Sequence, residues 1–284
     1  MSQILQRVAP IGEARDREIL KSASTYVYAQ RPQGDVQAHL FVPEKPAKTP
    51  RAVIVFFHGG FWETATPAQF VPHCLHFANR GIVAVAAETR VSSVHGTGPL
   101  EALEDARDLI RWLRANADLF QIDPNRVIVG GAAGGAFLAL QTTLPTAKKL
   151  PPKDGFDCSV QAMVLFSALV DTTRPFVRAK FPDAKTAKSI SPSRMLRRKL
   201  PPMLIFHGTA DRITPYDDVM KFRSRSRWRG NHCEIVDFPR ADHSFFNFNV
   251  NHNLFEAIIG TVDRFLSDRG FLAPDDSAGQ STGE

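Results

Sequence analysis

With 284 residues, 43% of them hydrophobic and 23% charged, the chain has an ordinary globular composition, and its length fits one large α/β domain or two small ones. No run of about 20 apolar residues suits a membrane span, and no basic start leads into an apolar stretch with a small-residue cleavage site. The net charge of +6 raises nucleic acid as a partner, but the densest basic runs, Lys221–Arg229 in a predicted helix and Leu196–Leu200, lack the interleaved aromatics and glycine-rich platform of base-stacking proteins and read as solvated faces.

In chain order, STYVYAQ and VQAHLFVPE read as strands separated by the turn-forming RPQGD. After the linker KPAKTP, RAVIVFFHGG is the continuous apolar run of a buried parallel strand. A helix is predicted around Pro67–Asn79 and a strand at IVAVAAE. PLEALEDARDLIRWLRANADLF places Leu100, Leu103, Ile110 and Leu113 on one stripe, which predicts an amphipathic helix. DPNRVIVGG is the next strand, and a glycine-rich turn opens the helix that follows. QAMVLFSALV and PPMLIFHGTAD are apolar runs ending in polar residues, HCEIVDFP is a last strand, and HNLFEAIIGTVDRFL a closing helix.

Strands alternating with helices predict an α/β fold, a parallel sheet wound by crossover helices, in one domain over residues 1–272. The small polar tail, 273–284, is expected to be disordered. Cys74, Cys158 and Cys233 lack metal-ligand spacing and are expected as buried free thiols in a reducing, cytoplasmic compartment.

The turn in VIVGGAAGGAFLAL fits two chemistries. In a dinucleotide-binding loop, glycines let the backbone approach a pyrophosphate at a helix N-terminus. That fingerprint needs an acidic residue ending the next strand about 20 residues on. Here that distance holds TAKKLPPKDG, with no strand before it. In a hydrolase, the same turn presents a nucleophile, and other strand ends supply its partners. FFHGGFW ends one strand and could supply oxyanion-hole amides, HGTAD ends another with Asp211, and RADHSFF follows the last with His243; with position 132 between them the order is nucleophile, acid, histidine.

From about Arg51 to Leu272, the segments FFHGGFWETATPAQF, TRVSSVHGTGP, DPNRVIVGGAAGG, LIFHGTAD and DHSFFNF resemble, in order, the esterase/lipase group of the alpha/beta-hydrolase family. Bacterial acetyl-esterase and acetyl-xylan-esterase-like members are the most similar. The resemblance implies an alpha/beta-hydrolase fold with a mostly parallel sheet of about eight strands, helices on both faces and a small lid. It also implies a serine nucleophile in G-x-S-x-G, matched here by Gly130-Gly131-Ala132-Ala133-Gly134, so that Ala132 stands at the nucleophile position. His243 would be the general base and Asp211 its orienting acid, with Asp171 as the alternative acid and Asp242 as a helix or turn cap. Backbone N–H groups of Gly60, Phe61 and Ala133 would form the oxyanion hole, and Phe61 and Trp62 would line the acyl pocket. No cofactor and no metal are implied.

A methyl group cannot attack an ester, so the chain as written is expected to lack appreciable serine-esterase activity. Ala132 reads either as a serine-to-alanine replacement in an active esterase or as a natural pseudo-hydrolase that binds a small ligand or partner without turnover. Residues Thr172 to Leu200 are a small lid without a long apolar flap, so a short acyl ester is the expected small-molecule substrate, an acetylated carbohydrate among them. HGGFW also resembles the HGG-x-W loop of kynurenine formamidases, which makes an aryl formamide the alternative. The lid residues Arg174, Arg178 and Lys180 fit either an anionic substrate or plain solubility, and oligomeric state is not legible.

Overall fold

The computed structural model describes residues 11–145 and 151–273, so the tail beyond Ala273 lies outside the described residues. The first half contains α1 (Ile11–Leu20), β1 (Ser24–Arg31), β2 (Gly34–Phe41), β3 (Arg51–Phe57), α2 (Val71–Asn79), β4 (Val83–Ala87), α3 (Ser92–His95), α4 (Pro99–Ala115) and α5 (Ala117–Phe120). Next come β5 (Ile122–Ala132), α6 (Gly134–Gln141), β6 (Ala162–Phe166) and three short helices, α7 (Pro175–Arg178), α8 (Ala184–Ser189) and α9 (Pro192–Met195). β7 (Met203–Gly208), α10 (Tyr216–Trp228), β8 (Cys233–Phe238) and α11 (His252–Ser267) complete the chain.

The strands form one eight-stranded sheet in the order β1-β2-β4-β3-β5-β6-β7-β8. β1 and β2 form an antiparallel hairpin, β2 meets β4 antiparallel, and every pairing from β4 to β8 is parallel. Successive side chains of a strand point to opposite faces, so one continuous apolar run serves two cores. Val53, Val55 and Phe57 of β3 join the core under α4 and α6, while Ala52, Ile54 and Phe56 join the one under α2 and α11. On α4 the buried stripe comprises Ala102, Leu103, Ala106, Leu109, Ile110 and Leu113, and each buried leucine or isoleucine contributes about 1.5–3 kcal/mol.

Two predicted elements are shorter than their apolar runs. The strand expected over QAMVLFSALV stops at Phe166, because Ser167 (φ 44°) turns the chain. The helix expected over 99–120 divides at Asn116, where α4 ends and α5 begins. Among the described residues, no helix is long and apolar enough to cross a membrane.

One ionic cluster ties the antiparallel edge to the parallel part. Asp105 of α4, fully buried, accepts from Arg90 Nε at 2.9 Å and Arg90 N at 2.8 Å, just beyond β4, and from Arg31 Nε at 3.0 Å on β1. Removing one partner of a buried pair leaves the other charge uncompensated. Asp105→Ala should therefore cost about 3–5 kcal/mol in a urea-unfolding measurement. A cost under about 1 kcal/mol would mean the cluster is screened like a surface pair.

Candidate active site

The turn after β5 is where the sequence-based frame is corrected. Ala132 is the last residue of β5 and is paired in register with Phe166 of β6. The tip is Ala133, with φ 49° and ψ −110°, a conformation that costs an L-residue on the order of 1–3 kcal/mol. The glycines that permit the crossing lie two residues either side of Ala133. A Cβ on Gly131 would come within 2.6 Å of the Gly135 carbonyl, and one on Gly135 within 2.1 Å of Phe57 O and 2.4 Å of His58 O. Because GGAAGG is symmetric, G-x-A-x-G fits 130–134 and 131–135 equally, and the backbone selects the second. Gly135→Ala should destabilise the chain by about 3 kcal/mol or more, because the clash is with backbone that cannot swing aside; an unchanged urea midpoint would refute this crossing.

The same register decides which amide of the turn is used by the sheet. The Ala133 N–H, expected to face an oxyanion, donates instead to Phe166 O at 3.1 Å and extends the β5–β6 ladder. The next amide, Gly134, opens α6, whose positive dipole end it carries. Gly134 lies against Phe61, so close that a Cβ there would come within 3.0 Å of Phe61 Cα.

Phe61 sits in the loop His58-Gly59-Gly60-Phe61-Trp62 that follows β3. Gly60, Phe61 and Trp62 have successive positive φ values of 91°, 49° and 63°. This left-handed turn is closed by the Glu63 N–H, which donates to Gly60 O at 3.0 Å. The Gly60 and Phe61 N–H groups make no hydrogen bond among the described residues. The Gly59 N–H, by contrast, donates to Gln69 Oε1 at 2.7 Å. Gln69 Nε2 donates to Asn247 Oδ1 at 3.0 Å, and Asn247 Nδ2 to Ser244 O at 3.1 Å. The glycine loop is thus tied to the residue after His243. His58 Nδ1 lies 2.7 Å from Gly59 O, and burial lowers its pKa, so the imidazole is a neutral brace.

His243, in the loop after β8, places Nδ1 2.8 Å from Asp211 Oδ2, in the loop after β7. With Nδ1–H donating, Nε2 keeps its lone pair, on a side chain 18% exposed. Asp211 Oδ1 accepts from the N–H groups of Ile213 and Thr214, each at 2.9 Å, and the Thr214 hydroxyl lies 2.8 Å from Oδ2. Burial pushes the Asp211 carboxyl upward, but His243 and the Thr214 donors outweigh it and hold the group below its usual range, as a carboxylate. Asp171, the alternative acid, accepts from Thr173 N at 2.9 Å and Thr173 Oγ1 at 2.6 Å and makes no contact with His243. Asp242 Oδ1 accepts from Ser244 N at 3.0 Å as a turn cap.

The two aromatic residues of the loop differ. Phe61 stacks on the His243 ring, centroids 6.0 Å apart, and meets Phe176 of α7 at 5.4 Å. Trp62 is 3% exposed, packed edge-on against Phe137 and Phe181 at 5.2 and 5.8 Å, so it belongs to the core rather than to an open surface. The segment expected as a lid contains α7, α8 and α9. Its Arg174 pairs with Asp218 and its Lys180 with Glu63, which leaves only Arg178 of the three basic residues without an ion pair among the described residues. Beside the Gln69–Asn247 bridge runs a groove of about 660 Å³, lined by Thr66, Ala68, Val71, Leu75, Asn247 and Phe248. Among the described residues, no group of three or more His, Cys, Asp or Glu could hold a metal ion, and all three cysteines are buried and free.

Sequence reasoning missed Gln69, Thr214 and Asn247. Gln69 and Asn247 lie inside segments that carry the resemblance, FFHGGFWETATPAQF and DHSFFNF, but nothing in either segment says that residues 178 apart bond to each other. Thr214 is found only by asking what saturates Asp211.

Residues 39–179 match the BD-FAE family. Esterase LipC of Mycobacterium tuberculosis is 28% identical over 74% of this chain, and acetylxylan esterase of Xylanibacter ruminicola 24% identical over 75%. These alignments cover 56% and 44% of the two relatives, so the chain spans about half the length of the curated relatives it matches. A solved thermophilic esterase from Thermogutta terrifontis with propionate bound superposes with a TM-score of 0.83 at 33% identity, over 90% of this chain and 97% of that one.

Proposed function

As the chain belongs to the alpha/beta-hydrolase esterases, we propose that its site is a short-acyl ester site, built for serine catalysis and lacking only the attacking hydroxyl at position 133. The observation that carries this reading is the strained turn at Ala133, set between the close-packed Gly131 and Gly135. A hydroxyl there would face the substrate carbonyl. His243 Nε2 would take its proton and return it to the leaving group, while Asp211 stabilises the imidazolium. The oxyanion of the tetrahedral intermediate would lie against the N–H groups of Gly60, Phe61 and Gly134. With a methyl at 133, acylation has no nucleophile, and the chain binds without serine turnover.

A short acyl group is supported by the core packing of Trp62 against Phe137 and Phe181, and by one relative of this fold solved both with propionate and with butyrate. The apolar groove beside Gln69 is assigned to the alcohol side. The HGG-x-W loop supports an aryl formamide as the second substrate class. The test is turnover by the Ala133→Ser chain of p-nitrophenyl acetate, longer acyl esters, acetylated xylan oligomers and N-formylkynurenine. Formamide cleavage exceeding acetate cleavage would select the second class. No turnover of any, with the fold intact, would leave a ligand-binding hydrolase fold without chemistry.

In the same serine-bearing chain, Gln69→Ala should lower kcat/KM on p-nitrophenyl acetate by about 10–100-fold, since Gly59 and the adjoining oxyanion donors lose their tie to the histidine loop. An unchanged kcat/KM would show that the loop holds its own shape.

A further inference from the structure

The two basic runs singled out in the sequence, Leu196–Leu200 and Lys221–Arg229, have no part in the site, yet the fold joins them. Asn231, just past the end of α10, accepts from Leu200 N at 3.0 Å and donates from Nδ2 to Arg197 O at 2.7 Å. Arg198 and Lys199 are thereby held beside the end of the helix that carries Lys221, Arg225 and Arg227, with Arg229 directly after it. None of these six cations has an ion-pair partner among the described residues. On α10, the buried side is Val219, Phe222 and Ser226. Lys221, Arg225 and Trp228, spaced four and three apart, lie on an exposed stripe.

Trp228 is 83% exposed, the most exposed large apolar side chain described, with the Arg229 guanidinium 5.5 Å from its ring centroid. The fold gains nothing from leaving an indole in water inside a cluster of like charges, which repel one another. An indole flanked by cations is instead suited to the boundary between lipid headgroups and acyl chains. A nucleic-acid strand would need successive stacking rings, and this face offers one.

We propose that this face docks on an anionic lipid bilayer, with Trp228 entering the headgroup layer and the six cations facing lipid phosphates and carboxylates. The patch lies where α10 ends and β8 begins, at the amino ends of the parallel strands. His243 and Ala133 follow the carboxyl ends. A docked molecule therefore holds its site away from the bilayer, open to substrates from the water phase.

The experiment is co-sedimentation of the full chain with phosphatidylcholine vesicles, with and without about 30% phosphatidylserine, at about 0.1 M salt. The expected result is at least about tenfold tighter binding to the serine-lipid vesicles, lost at about 0.5 M salt. Trp228→Ala should weaken it about tenfold, and Arg225→Glu with Arg227→Glu should abolish it. These positions are exposed, and circular dichroism verifies the fold of each variant. Equal binding to both vesicle types, or binding that survives the charge reversal, overturns the proposal. So does tighter binding to duplex DNA than to the anionic vesicles with no effect of Trp228→Ala, which would make the face a general polyanion surface.

Discussion

A serine at position 133 should give this chain esterase activity, and a serine at 132 should not. In the Ala133→Ser chain the hydroxyl stands at the strained tip, between Gly131 and Gly135 and beside the free amides of Gly134, Gly60 and Phe61. The expected gain in p-nitrophenyl acetate turnover over the unaltered chain is up to about 10⁶-fold, the amount by which kcat of a triad enzyme falls when the nucleophile is removed. His243→Ala in that background should erase most of it, and mass spectrometry should show the acyl group on the introduced serine in the intact triad. Ala132 belongs to the core under α2 and α11, with Phe166 and Phe246. A hydroxyl at 132 is buried among these rings and should cost about 1–3 kcal/mol of stability with no gain in rate. Turnover by Ala132→Ser and none by Ala133→Ser would return the elbow to the frame 130–134 and discard the backbone argument.

The second large effect concerns stability in acid. His73 of α2 is fully buried, with ring centroids 4.9 Å from both Phe70 and Phe255 and 5.4 Å from Phe166. Neither of its ring nitrogens has a hydrogen-bond partner among the described residues. Burial, with a smaller contribution from nearby His76, pushes its pKa down from 6.5 to about 3. Above pH 6.5 the ring is neutral in the folded and unfolded chain alike, and titration contributes nothing. As pH falls below 6.5 the unfolded chain takes up a proton that the folded chain refuses, so folding loses about 1.4 kcal/mol per pH unit until the folded pKa is reached. The accumulated loss approaches about 5 kcal/mol near pH 3.

His73→Leu removes this linkage along with two unpartnered polar atoms. The variant should match or exceed the parent at pH 7 and exceed it by about 3 kcal/mol at pH 4 in urea unfolding. Carboxylates that destabilise the fold in acid act on both proteins and cancel in the difference. Parallel pH profiles would mean that the folded chain protonates His73 as readily as the unfolded one.

Sequence alone determined the sheet, its buried strands and the helices that cover it. These depend on local period and apolar run length, and eight runs of strand character became eight strands. It also singled out Asp211 and His243, which the fold brings within 2.8 Å of each other, because the parallel strands of an α/β sheet bring their carboxyl ends to one edge, whatever the loops contain. It brought Ala132 and Ala133 to a glycine-rich turn, but the motif read in its first frame put Ala132, not Ala133, at the tip. GGAAGG satisfies the motif in two frames, and only the paired strand decides which alanine ends the ladder and which takes the positive φ. The Gln69–Asn247 bridge, the Arg90–Asp105 pair and the meeting of the two basic runs were equally out of reach. Each joins residues whose contact depends on how strands cross and helices pack, and side-chain type carries no record of a partner that the fold alone brings near.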